Sequence, residues 1–379
     1  MAKPTKKELE ELALQEAEAK APASVNKDIM RAIASAKMSL KKKFGDDLFS
    51  EKKIEPIPSI STGSALLDRE LGNGGWALGR VHEIFGSSAS GKTSAVSMTC
   101  ANALKQYPDK YVIYIDYEQA MDFVYAKKLG LDVEDERFIF IQSNSAEEGF
   151  ETVEKLVQTG GVSVVIIDSV PAMLTKAELE KGYDEMTMGS KAKFLSTSIP
   201  KLIELLKKTN TAMIFVNQVR DSLSYGGGQV TPGGKALPFF SSSRVEIKRT
   251  QILTNKEVPY GQTVKFFIRK NKVGLPFGTV ETDLLFGIGF DYHLETVNLA
   301  IDMGIIRKSS SWLKMIHGNK EELVIQGAAN FADYYRDNPE DFEDLKRLIK
   351  LHEESQNFDE NVEQVSAITV DPKFDENGY

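Results

Sequence analysis

Gly86-Ser87-Ser88-Ala89-Ser90-Gly91-Lys92-Thr93 matches the phosphate-loop pattern at every required position. The apolar run Val81–Phe85 reads as a strand leading into it, and the residues after Lys92 read as a helix leading out. That context is what the chemistry requires. A glycine-rich turn and a helix N-terminus aim backbone N–H groups at one point, Lys92 adds a positive charge, and the Thr93 hydroxyl is a magnesium ligand. Gly86 through Ser94 are therefore the expected phosphate-binding residues.

Working outward, short β-rich runs at Tyr111–Ile115, Phe138–Ile141, Val162–Ile167 and Ala212–Val216 alternate with helical stretches, the signature of a parallel sheet covered by helices. Three of these runs end in polar groups. Val164–Ile167 delivers Asp168, which beside a phosphate loop is the expected metal-side acid and elsewhere would as readily be a turn residue. Tyr111–Ile115 ends in Asp116-Tyr117-Glu118, and Glu118 is placed to activate a water at the sheet edge where open α/β sheets bind ligands. Met213–Val216 ends in Asn217-Gln218, an amide pair able either to sense a γ-phosphate or to satisfy its own turn. Arg244–Arg249, Gln262–Arg269 and Thr279–Phe286 follow without long helical insertions and should extend the sheet with antiparallel strands.

The flanks differ in character. Residues 1–25 are rich in Lys, Glu and Ala and are expected to be a disordered leader. Ile29, Ile33, Ala36, Leu40 and Phe44 recur at helical spacing, with Asn26 or Asp28 as the start and Gly45 as the stop, so 26–58 reads as a helix and connecting segment outside the core. The core is expected over 59–290, a small lobe around Trp312 over 291–350, and an acidic disordered tail over 351–379. The chain has 47 basic and 55 acidic residues, a net charge of −8, yet eight carboxylates against Lys373 alone lie beyond Lys350, so the body is nearly neutral and leaves room for a local basic surface. Cys100 stands alone and the four histidines lack metal-ligand spacing, which argues against disulfides and zinc. Apolar runs are too short to cross a bilayer and no apolar signal region follows the N-terminus, so no membrane partner and a cytoplasmic location are expected.

Taken together, Ser61-Thr62-Gly63-Ser64 ahead of Leu67-Asp68, Gly79-Arg80, the phosphate loop, Glu118, Asp168-Ser169, Asn217-Gln218-Val219-Arg220 and Lys270-Asn271-Lys272 resemble the bacterial RecA family from about Lys27 to Asn338. The resemblance implies a RecA-like P-loop ATPase core: a mostly parallel twisted sheet flanked by helices, with an N-terminal helix and a small C-terminal α/β lobe. It implies a DNA-dependent ATPase that uses ATP and Mg2+. It further implies a helical filament on single-stranded DNA and strand exchange with homologous duplex DNA, in recombination and repair. By resemblance, Glu118 orients the hydrolytic water, Gln218 reports the γ-phosphate, and Lys270 and Lys272 reach a neighbouring subunit's nucleotide; Asp122 and Tyr125 lie near the adenine. Two loops, Glu178–Met188 and Tyr225–Phe240, are implied to contact DNA, with Met188, Gly189, Lys193, Arg220, Gly233, Gly234 and Lys235 as the named contacts and Phe239 packing on the next subunit.

There are departures: Pro238 and Pro200 stand where the family carries basic residues, and Lys193 where it carries arginine, which alters the charge and fork geometry offered to a phosphate backbone. The chain reads as a divergent member, with a bacteriophage source left open. Two other readings stay open from the residues themselves. A hexameric helicase or motor would share the core but use an arginine finger in place of Lys270-Asn271-Lys272, and a non-hydrolysing DNA-binding filament protein would show no turnover.

Overall fold

The computed structural model describes residues 26–45, 49, 56–181, 189–221, 229–318 and 320–368. The chain divides into two compact units, 1–56 and 57–379. In the first, helix α1 (Lys27–Phe44) begins at Asn26, whose side chain accepts from the Asp28 amide, and ends where the Gly45 amide donates to the Lys41 carbonyl. None of its residues is buried, and Ile29, Ile33, Leu40 and Phe44 are all at least 40% exposed, so its apolar stripe faces solvent.

The second unit opens with strand β1 (Ser59–Ile60), helix α2 (Ala65–Glu70), strand β2 (Trp76–Ala77) and strand β3 (Val81–Gly86), followed by helix α3 (Lys92–Gln106). Next come β4 (Tyr111–Asp116), α4 (Phe123–Lys128), β5 (Phe138–Ile141), α5 (Ala146–Gln158), β6 (Val162–Asp168), the short α6 (Lys176–Leu179), α7 (Ser190–Thr209) and β7 (Ala212–Gln218). The pair β8 (Arg220–Asp221) and β9 (Gln229–Val230) precedes α8 (Ala236–Phe240), the long hairpin β10 (Ser243–Asn255) and β11 (Val258–Asn271), then β12 (Thr279–Leu285) and β13 (Gly289–Phe290). Nine strands form one sheet in the order β13-β12-β11-β10-β3-β7-β6-β4-β5. β3, β7, β6, β4 and β5 run parallel, β10 joins β3 in parallel, and β11, β12 and β13 continue antiparallel.

Parallel strands covered on both faces must be apolar throughout. β6 and the first six residues of β7 are buried, and the sheet separates two cores: one under α3 with Ile84, Val96, Leu104 and Ile166, the other under α5 and α7 with Phe150, Val165, Ile199 and Phe215. Cys100 is buried in the first. All the parallel strands point the same way, so their C-terminal ends open onto one edge, and the register aligns Gly86 with Gln218 and Asp116 with Asp168.

The C-terminal part packs a third core from α9 (Tyr292–Asp302), the three-stranded sheet β14 (Arg307–Ser309), β15 (Trp312–Met315) and β16 (Leu323–Gln326), α10 (Ala328–Asp337) and α11 (Pro339–Ile368), around Val297, Leu313, Phe331 and Leu345. Helix α11 runs past Lys350 to Ile368, so the expected start of a disordered tail falls inside a helix. The segment 351–368 contains neither Pro nor Gly, and extending an existing helix fixes one residue per hydrogen bond without a new nucleation cost. The expected leader and the last eleven residues lie outside the described residues. Among the described residues no helix is long and apolar enough to cross a membrane.

Candidate nucleotide and nucleic-acid sites

At the end of β3 the chain turns through Ser87, Ser88 and Ala89, all exposed, with Ala89 at φ 55° and Gly91 at φ 99°. A side chain on Gly86 would place its Cβ 2.1 Å from the Ile247 carbonyl oxygen, and one on Gly91 would lie 2.5 Å from Leu284. These glycines let the loop lie flat against β10 and β12. Lys92 is buried and its Nζ donates to the carbonyls of Ser87 (2.6 Å) and Gly86 (3.2 Å), folding the cation over the loop it serves. Burial pulls its pKa down, while Asp168 and Glu118 nearby oppose that shift.

Asp168 ends β6 with one carboxylate oxygen, Oδ2, accepting from Thr93 Oγ1 (3.1 Å) and from the Tyr114 hydroxyl (2.6 Å). Its other oxygen, Oδ1, is buried with no protein partner, as is the Ser90 hydroxyl in the loop. Burial lifts the Asp168 pKa to about 6, the bonds from Tyr114 and Thr93 oppose that rise, and Glu118 adds to it. An acid with a free buried oxygen beside a threonine hydroxyl fits a hard divalent cation that takes its remaining ligands from phosphate and water. Glu118 is exposed on a turn pinned by Asp116, whose Oδ2 accepts from the Ala120 and Met121 amides at 3.0 Å. Gln218 is half-buried level with Gly86, and the Val219 amide donates to the Gly86 carbonyl (3.3 Å). Asp122 caps α4 by accepting from the Tyr125 amide (3.0 Å), and Tyr125 packs against the first core. The residues read from the sequence as Gly86–Ser94, Glu118, Asp168 and Gln218 thus converge on one edge.

Lys270 and Lys272 do not join them. Lys270 stands opposite Arg244, which is level with Glu83, three positions before the strand end at Gly86. That is roughly 10 Å down the sheet and two strands across, on strand spacings. Lys270 Nζ donates instead to the carbonyls of Pro238 (2.8 Å) and Phe239 (2.9 Å), capping α8. Burial lowers its pKa, and Lys272 and Arg244 lower it further. Lys272 is exposed.

The expected DNA residues gather elsewhere. Residues 182–188 and 222–228 of the two loops, Met188 included, lie outside the described residues. Gly189 at φ 85° starts α7, and Gly233 and Gly234 at φ 94° and 69° sit on its first turns, where added Cβ atoms would lie 2.9 Å from Leu195 and 2.8 Å from Ala192. The base of the second loop therefore meets the end of the first. Lys193, Arg220 and Lys235 are exposed around this junction, Arg220 pairing with Val230 in β8–β9. Pro200 lies within α7 on an exposed position, and Pro238 within α8.

Four further residues belong to these sites that the sequence did not single out. Tyr114 orients Asp168, and Lys191, half-buried beside Arg220 and Glu178, donates to the Pro171 carbonyl (2.7 Å) between the loops. Buried Glu83 and half-buried Arg244 form an ion pair at 2.5 Å beside the second loop. A tyrosine or a charged residue within a strand carries no spacing signal, so Tyr114, Glu83 and Arg244 were visible only once the strands were paired, and Lys191 only once the start of α7 was set beside Pro171.

The RecA N-terminal domain family matches residues 31–291 of the chain. Curated proteins named Protein RecA are similar over most of their length. That of Desulforapulum autotrophicum is 34% identical over 325 residues, covering 84% of this chain and 91% of the relative. That of Sulfurovum sp. is 36% identical over 326 residues, covering 84% and 92%. That of Rickettsia massiliae is 33% identical over 357 residues, covering 93% and 99%.

Proposed function

The chain belongs to the RecA family, and from that premise we propose that it is a DNA-dependent ATPase recombinase that assembles on single-stranded DNA and exchanges strands with a homologous duplex in recombination and repair. The observation that carries the reading is the meeting of Lys92, Thr93, Asp168 and Glu118 on one strand-end edge while Lys270 and Lys272 stand away from it on the same chain. A nucleotide served by both sets must lie between two copies.

Magnesium, when bound, would neutralise phosphate charge; Thr93 and Asp168 are the residues that would hold it. The loop amides and Lys92 bind and orient the triphosphate. Glu118 holds the attacking water, and Gln218 lies where it can sense the terminal phosphate. Lys270 and Lys272 of one copy complete the pocket of the next, so turnover loosens the joint between copies. The exposed stripe of α1 supplies a second contact for assembly, and Gly189, Lys193, Arg220, Gly233, Gly234 and Lys235 face the strand. A non-hydrolysing filament would have no use for an exposed acid beside the metal-side residues, and a ring motor would place an arginine where Lys270 and Lys272 stand.

Two variants test the division of labour. Lys92→Ala should abolish nucleotide binding and DNA-stimulated hydrolysis. Lys270→Ala should keep nucleotide binding by the free chain and lose at least tenfold in DNA-stimulated turnover. Equal loss of nucleotide binding in both variants would rule out the trans role.

A further inference from the structure

Glu83 is fully buried in the middle of β3, an unusual place for a carboxylate, and both of its oxygens are used. Oε1 accepts from the Asn217 side-chain amide (2.8 Å) and Oε2 from Arg244 Nε (2.5 Å). Asn217 is itself fully buried, and its bonds leave in two directions. Its amide nitrogen also donates to the Pro232 carbonyl (3.0 Å) in the second loop, and its oxygen accepts the backbone amide of Gln218 (2.9 Å). Arg244 lies with its guanidinium over the Phe85 ring (4.7 Å) and lines a cavity of about 600 Å³ that Val230, Thr231, Gly234 and Lys235 also line.

We propose that Glu83 and Asn217 are positioning residues, touching neither nucleotide nor DNA, that pass the position of Gln218 to the second loop through the Pro232 carbonyl. The inference rests on the recombinase reading above and names the connection that reading needs. Movement of Gln218 toward a terminal phosphate pulls its amide from Asn217 Oδ1. The Asn217 side chain, held on the other side by Glu83, then swings and releases Pro232. The limb from Val230 to Lys235 has the cavity to move into. Glu83 offers one oxygen to each of two donors at once, and the Arg244 bond fixes its carboxylate in place.

The test uses the full chain, a fluorescent oligodeoxythymidine, magnesium and a slowly hydrolysed ATP analogue. The readout is the ratio of oligonucleotide affinity with and without the analogue, together with analogue affinity without DNA. Asn217→Ala should cut the ratio at least tenfold and leave analogue affinity within about twofold. The double variant Glu83→Gln, Asn217→Asp exchanges donor and acceptor between the two positions and restores their mutual bond, but a carboxylate at position 217 has no N–H to give the Pro232 carbonyl. It should therefore stay uncoupled; recovery of the ratio would mean that the pair only fills the core and would overturn the relay, as would an unchanged ratio in Asn217→Ala. If a variant does not fold, hydrogen exchange on the wild type decides: the analogue should speed exchange of the Thr231, Gly233 and Gly234 amides, and unchanged exchange overturns the relay. A wild-type ratio of one would remove the recombinase reading and the relay with it, whereas coupled wild type with coupled variants removes the relay alone.

Discussion

Asp68 shows how a single residue ties this fold to pH. It is 4% exposed, its carboxylate accepts from the Ser61 hydroxyl (2.5 Å) and the Thr62 amide (2.7 Å), and burial lifts its pKa from 3.8 to about 7. Glu295, reaching from α9 to the Ser64 hydroxyl (2.9 Å) and the Leu66 amide (3.2 Å), is raised as well, chiefly by burial. A carboxyl that holds its proton more tightly folded than unfolded makes the folded state bind more protons between the two pKa values. Stability then falls as pH rises through that window and levels off above it. Between pH 5 and pH 7 the loss from Asp68 should approach roughly 2–3 kcal/mol. Thermal midpoints across that range should fall for the wild type and fall much less for Asp68→Asn, which is neutral at every pH; parallel curves would contradict the assignment. The Ser61-Thr62-Gly63-Ser64 and Leu67-Asp68 stretch, met in the sequence as a family resemblance, thus has a mechanical role in joining the core to the C-terminal part.

At the scale of elements, α1 has the clearest consequence. Its caps at Asn26 and Gly45 and its stripe of Ile29, Ile33, Leu40 and Phe44 make it a well-formed helix with none of its residues buried. Ile33→Glu should leave the thermal midpoint within about 2 °C, since an exposed substitution away from the core changes stability little. The same change should abolish long assemblies on single-stranded DNA in electron micrographs; intact filaments would show that the stripe is not an assembly contact. The helix and the parallel strands were legible in the sequence because each rests on a period: 3.6 for Ile29 to Phe44, and short apolar runs ended by Asp116, Asp168 and Gln218 for the strands. What the sequence hid follows from the same cause. Glu83 interrupts an apolar strand without changing its reading, and Tyr114 looks like one more core aromatic until β4 and β6 are paired. Helix α11 continues beyond Lys350 because the charge pattern that suggested a tail says nothing about backbone continuity. Lys270 was legible as a cation but not as the cap of α8, a contact that depends on how β10 and β11 fold back.

For the molecule as a whole, charge is divided by position. The chain carries −8, yet its acidic excess lies mostly beyond Lys350. On the C-terminal three-stranded sheet, Arg307 stands opposite Lys314 and Ser309 opposite Trp312, which is 47% exposed, so two cations that share Glu322 (2.7 and 3.6 Å) and an aromatic ring lie on one outward face suited to a phosphate backbone. Lys320 lies outside these strands and is paired with Asp341. A terminal segment rich in carboxylates would compete for such a surface, and the competition should weaken as salt screens it. The place of the cut matters, because Glu353 forms an ion pair with Arg69 (2.7 Å) that ties α11 to α2. Truncation after Ser355 preserves that pair and still removes Asp359, Glu360, Glu363, Asp371, Asp375 and Glu376. The truncated chain should bind duplex DNA at least several-fold more tightly at low salt, the gain should shrink toward high salt, and its magnesium requirement should drop because the cation no longer has a tail to neutralise. Equal duplex affinities across a salt titration would show that the terminal carboxylates only solubilise the chain.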